Sequence, residues 1–132
     1  QDIIAQPFYS SFFFQHQLII MAIPHIQSAL PKKRYKYGEF IVTLLTDVVS
    51  HDNVQYMYLV AVLSEGENNP QVYITYEQTT QNSYQTRVVS AQDEHIIASQ
   101  QARMTESAFC EFALAGIKQM FGLSDETPVA LN

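Results

Sequence analysis

Residues 39–63 read EFIVTLLTDVVSHDNVQYMYLVAVL, and the architecture turns on how this stretch folds. Residues 39–49 and 54–63 are rich in β-branched and aromatic side chains. Ser50, His51, Asp52 and Asn53 between them are turn formers, so the stretch predicts a β-hairpin. In the first strand Phe40, Val42 and Leu44 share one face, and Ile41 and Leu45 share the other. In the second, Tyr58, Val60 and Val62 oppose Met57, Leu59 and Leu63. A strand with one side in water alternates apolar with polar residues. This pair is apolar on both faces, so each face needs a cover.

Beyond the hairpin, the polar run SEGENNP at residues 64–70 reads as a loop, followed by a one-sided strand over residues 71–79. Gln81, Asn82 and Ser83 make a turn into a fourth strand at residues 84–91. Residues 95–100 are read as its continuation past a bulge at 92–94. Thr105 is placed to cap a helix in which Phe109, Phe112, Ala113, Gly116, Ile117, Met120 and Phe121 fall on one stripe. Gly122 supplies a left-handed stop and Pro128 blocks resumption, which leaves residues 124–132 as a flexible tail.

Toward the N-terminus, Phe12, Phe13, His16, Ile19, Ile20 and Ile23 recur near a 3.6-residue period, and residues 8–30 predict a helix kinked or restarted at Pro24 and ended by Pro31. Phe14, Leu18 and Met21 make this segment apolar on almost every side, which suits deep burial or an interface. Gln15, His16, Gln17, Pro24, His25, Gln27 and Ser28 would be costly in hydrocarbon. No Lys or Arg precedes Phe8 as it would in a secretion signal, so a buried helix is expected there rather than a membrane span.

The 132 residues, 47% of them apolar, match one domain with a real core, and residues 1–132 are read as a single α+β domain. Its expected form is an antiparallel sheet of four to five strands, flanked by an N-terminal kinked helix or helix pair and a C-terminal amphipathic helix. A formal net charge of -6 opposes general attraction to phosphate backbones or anionic lipid. The single cysteine, Cys110, excludes an intramolecular disulfide and a cysteine-based zinc site within one chain, and suits a reducing, cytoplasmic setting.

Candidate chemistry is sparse. The histidines His16, His25, His51 and His95 show no paired-ligand spacing, so no metal or other cofactor is expected. Asp52 beside His51 could orient an imidazole, yet turn chemistry explains the pair better. Cys110 near a helix start is a conceivable nucleophile, but its neighbours Phe109 and Phe112 speak for packing. The four glycines are too far apart to form a phosphate loop, and no catalytic residue is assigned.

Two groups remain as binding candidates. Tyr56, Tyr58 and Tyr76, with His16, are suited to wall a small-molecule pocket between the sheet and the N-terminal helix. Lys32, Lys33, Arg34 and Lys36 hold four of the seven basic residues and could grip an acidic partner or, less readily, nucleic acid; alternatively they form a solvated linker. The leading functional expectation is a non-enzymatic protein-binding or assembly module of adaptor, chaperone-like or immunity type. It is expected to act as a homodimer through the segment at residues 8–30 and the Met57, Leu59 and Leu63 face, away from membranes. A ligand-binding protein or enzyme is the alternative.

Overall fold

The computed structural model describes residues 23–131. Seven strands run in order along the chain: β1 Ile26–Tyr37, β2 Phe40–Ser50, β3 Gln55–Ser64, β4 Val72–Thr80, β5 Ser83–Ser90, β6 Glu94–Gln100 and β7 Val129–Leu131. One helix, α1 Glu106–Phe121, separates β6 from β7. All seven strands join one sheet in the order β6-β5-β4-β3-β2-β1-β7, with every neighbouring pair antiparallel. Among the described residues the result is an α+β meander with one helix.

The decisive hairpin forms as its residues dictate. β2 meets β3 with Val42 opposite Val62 and Leu44 opposite Val60. The connection between them is fastened by Asp52. Its Oδ1 accepts from the Val54 amide at 3.3 Å, and its Oδ2 accepts from the His25 amide at 3.2 Å and from the Tyr56 hydroxyl at 3.0 Å. Both faces of the pair are shielded, since Val60 and Val62 on the front and Leu59 and Ala61 on the back are all buried. The front core joins Val42, Leu44, Val60, Val62, Ile74 and Tyr76 to Phe109, Cys110, Ala113 and Ile117 of α1. Burying a ring such as Phe109 contributes about 1.5–3 kcal/mol.

Five expectations require correction. The sheet has seven strands, not four to five, partly because residues 94–100 are a separate antiparallel strand. The chain reverses at residues 91–93, where the Ser90 amide donates to the Asp93 carbonyl at 2.8 Å. The expected flanking N-terminal helix is overturned where it can be seen. Residues 26–30 are strand, and Pro31 lies inside β1 rather than ending a helix; residues 8–22 of that expectation lie outside the described residues. Pro31 is tolerated because the β1–β2 register slips beside it and β7 pairs only with Arg34, Tyr35 and Lys36, so the proline lies where β1 has a partner strand on one side only.

The basic segment is therefore strand and not linker, and part of the expected tail is strand as well: Val129, Ala130 and Leu131 lie opposite Lys36, Tyr35 and Arg34. No helix among the described residues is long and apolar enough to cross a membrane.

Candidate functional site

The helix is fixed at both ends before it reaches the sheet. Thr105 Oγ1 accepts from the Ala108 amide at 3.1 Å, and Gly122 closes the C-terminus at φ 65 with its amide donating to the Lys118 carbonyl. Just upstream, the Met104 amide donates to Tyr76 Oη at 2.6 Å, and Arg103 lies 5.9 Å from the centroid of the Tyr58 ring. These contacts set where α1 crosses the front of the sheet.

α1 spends only part of its apolar stripe on that sheet. Phe109, Cys110, Ala113 and Ile117 are buried, whereas Phe112 and Met120 are 38% and 42% exposed. Phe112, Gly116 and Met120 follow one another at intervals of four residues and form a ridge along one side of the helix. Opposite this ridge stand His95 and Ile97 of β6, with Ile74 and Val88 as the floor. The space between is an open apolar groove of about 500 Å³. A Cβ added to Gly116 would meet nothing within 4 Å, so the glycine widens the groove and relieves no close approach.

β6, the outer wall, is an edge strand. Ile96 is 59% and Ile97 45% exposed, and a register shift at Thr86/Arg87 marks a bulge on this strand. His95 Nε2 lies 2.8 Å from Asp93 Oδ2 at the start of the strand. The Glu94 amide, followed by His95, holds the Asp93 carboxyl below its usual range.

The back of the sheet carries a second polar arrangement. Glu77 and Arg87 are 3% and 8% exposed; Arg87 Nε donates to Glu77 Oε2 and Nη1 donates to Glu94 Oε2 at 2.8 Å. Glu77 also accepts from Thr75 Oγ1 at 2.6 Å and from Gln85 Nε2 at 2.9 Å. Burial pulls the Arg87 guanidinium down, but the two carboxylates beside it outweigh this and hold it above its ordinary value. With its oxygens engaged by three donors, Glu77 is a structural clamp rather than an acid or base facing a substrate.

Two of the three predicted pocket tyrosines come together, and the third stands apart. Tyr58 and Tyr76 lie on the front, stacked at 5.8 Å between centroids, and Phe109 and Tyr84 occupy further positions around the Tyr76 ring at 5.6 Å each. Tyr76 is fully buried, so the stack is filled core. Tyr56 belongs to the back, because the register slips between Tyr56 and Tyr58 and its hydroxyl goes to Asp52. Burial, then the Asp52 carboxylate, pushes its phenol well above the usual range. His16 lies outside the described residues.

Of the basic group, Lys32 stands 3.9 Å from Glu106 and Lys36 3.3 Å from Glu65, while Lys33 and Arg34 are exposed on β1. Asp52 serves the turn and not a catalytic pair with His51. Cys110 is buried, with Sγ donating to Tyr35 Oη at 3.8 Å. Among the described residues, no three His, Cys, Asp or Glu side chains cluster to hold a metal ion.

The groove itself escaped the sequence, since the periodicity of Phe112, Gly116 and Met120 is that of a core stripe. The signal that could have marked it is Gly116, a poor helix former in mid-helix. Comparison with protein-family models, curated proteins and solved structures finds no match to this chain.

Proposed function

We propose that this domain is a non-enzymatic protein-binding module that takes up an extended apolar segment along β6, with the segment's side chains seated in the groove beside α1. The observation that carries the reading is the contrast between the two edges of the sheet. At one edge, β1 bears Pro31, Lys32 and Lys33 and is capped over Arg34, Tyr35 and Lys36 by the short β7, all devices that discourage pairing with another chain. At the other edge, β6 (EHIIASQ) carries no Pro, Lys or Arg and exposes two adjacent isoleucines next to an apolar groove.

Strand addition at such an edge draws affinity from main-chain hydrogen bonds and specificity from pockets for alternate side chains. The groove supplies that pocket, and its cost is visible in Gly116. The groove and edge also gather four of the seven large hydrophobics that are exposed among the described residues, namely Ile96, Ile97, Phe112 and Met120. A reducing, cytoplasmic setting suits this reading, in which Cys110 remains a packed thiol.

The test is selection from a displayed library of extended peptides, followed by amide hydrogen exchange. Binders are expected to alternate apolar residues, to protect β6 amides and to lose about tenfold or more in affinity for Met120→Lys. Selection that yields no binder, or binders that protect the Lys32 to Lys36 region instead, would overturn the proposal.

A further inference from the structure

We infer that the segment received at this edge is β6 of a second copy, laid antiparallel about a two-fold axis at Ile97. The inference rests on the edge-and-groove reading above and adds the identity of the partner.

The strand is complementary to itself in that register. Ile97 faces its own counterpart, Ile96 faces Ala98, His95 faces Ser99 and Glu94 faces Gln100. The acids Asp93 and Glu94 sit at one end of β6 and the amides Gln100 and Gln101 at the other, so antiparallel pairing brings each carboxylate to a neutral donor. A parallel pair would instead set Glu94 against Glu94, and like charges directly opposite one another are destabilising. The two-fold arrangement satisfies both ends at once, as an isologous contact must.

The bulge points the same way. At Ile97 the strand carries one residue more than its β5 partner, and a regular strand laid along this edge would fall out of register there. A second copy brings the same irregularity to the same point on the axis. Ile96 on the back and Ile97 on the groove side are exposed together, and a neighbouring strand flanked by its own α1 ridge covers both. The opposite edge, blunted by Pro31, Lys32 and Lys33, stops further addition, so the assembly closes at two.

Sedimentation velocity and light scattering at micromolar concentration provide the first measurement, with Ile97→Lys, an exposed position, as the disrupting variant. The wild-type chain is expected at twice the mass of one chain and Ile97→Lys at the single-chain mass, with an unchanged far-UV circular dichroism spectrum and a melt that no longer depends on concentration. For register, Ile97→Cys in a Cys110→Ser background is oxidised with glutathione disulfide. It should give a covalent dimer, whereas the exposed control Val49→Cys should not. A single-chain mass for the wild type overturns the inference. If that monomer still binds extended peptides at β6, the binding-module reading stands and only the partner is wrong; if it binds none, both fall. A dimer that survives Ile97→Lys and gives no Ile97→Cys cross-link also overturns it.

Discussion

Arg87 Nη1 donates to Glu94 Oε2 at 2.8 Å across the β5–β6 ladder, so the outermost strand is tied to the sheet by charge as well as by its backbone. The same guanidinium reaches Glu77 of β4 through Nε, which makes Arg87 the link between the sheet's centre and the wall of the groove. The wall can therefore be loosened by changes on the opposite face of the sheet.

The first prediction follows from that link. Glu77→Ala removes one of the two carboxylates that compensate the nearly buried Arg87 charge and leaves Glu94 alone to pair it, which costs about 1.5–3 kcal/mol. Replacing both, as Glu77→Leu with Arg87→Met, removes the buried cation together with its buried partner, frees only the part-exposed Glu94, and is expected to be milder than the single change. Urea denaturation of the two variants checks this. A double variant as unstable as Glu77→Ala would show that packing, not the uncompensated charge, sets the penalty.

A second prediction concerns Gly116. Mid-helix glycine is worse than alanine by about 1 kcal/mol, and a Cβ here meets nothing within 4 Å, so Gly116→Ala is expected to stabilise the chain by about 0.5–1 kcal/mol. Gly116→Leu fills the groove and should weaken whatever occupies it while leaving the melting temperature near that of the alanine variant. Thermal melts paired with the mass and peptide-binding measurements separate the two effects. A stabilised Gly116→Leu with undiminished association would sever the groove from binding.

What the chain announces and what it conceals divide along the range of the interactions involved. The β2–β3 hairpin, the Thr105 cap and the Gly122 stop were legible because each depends on residues within a few positions: turn formers at 50–53, a hydroxyl three residues before the Ala108 amide, and a glycine able to adopt φ 65. β1 was not legible, because Pro31 beside a basic run breaks every local strand signal. It is rescued only by a slipped register against β2 and by a partner, β7, nearly a hundred residues away in sequence. β7 is three residues long, too short for any period to register. The stripe on α1 was read correctly as apolar, but nothing local says that the sheet consumes Phe109 and Ile117 while leaving Phe112 and Met120 to a groove.

The third prediction compares two glycines with left-handed backbones. Gly38 opens the two-residue β1–β2 turn at φ 60 and Gly122 ends α1 at φ 65, so alanine is strained at each by about 1 kcal/mol. Only at Gly38 would the added Cβ also meet a side chain, Leu123 Cδ2 at 2.9 Å. Gly38→Ala should therefore be the more destabilising of the two in parallel denaturation curves. Restoring space with Leu123→Ala should reduce that excess, and equal penalties without such rescue would rule out the clash.

The last prediction is a pH dependence. Burial pushes the Asp52 carboxyl up, but bonds involving the His25 amide, Ser50, the Tyr56 hydroxyl and the Val54 amide outweigh it and hold the group below its ordinary value of 3.8. With the folded pKa depressed, the folded state binds fewer protons than the unfolded chain near that value. The stabilisation is then complete above about pH 4 and is lost as pH falls through the folded pKa. Asp52→Asn retains the turn's shape but cannot accept all of these donors. At neutral pH it should cost about 1 kcal/mol, toward the low end for charged hydrogen bonds because the site is largely open to water. Urea curves for both proteins, repeated stepwise below about pH 4, should converge as the wild-type carboxyl takes up its proton. A gap that stays constant down the titration would mean that the ionised carboxylate contributes nothing to fastening the start of β1.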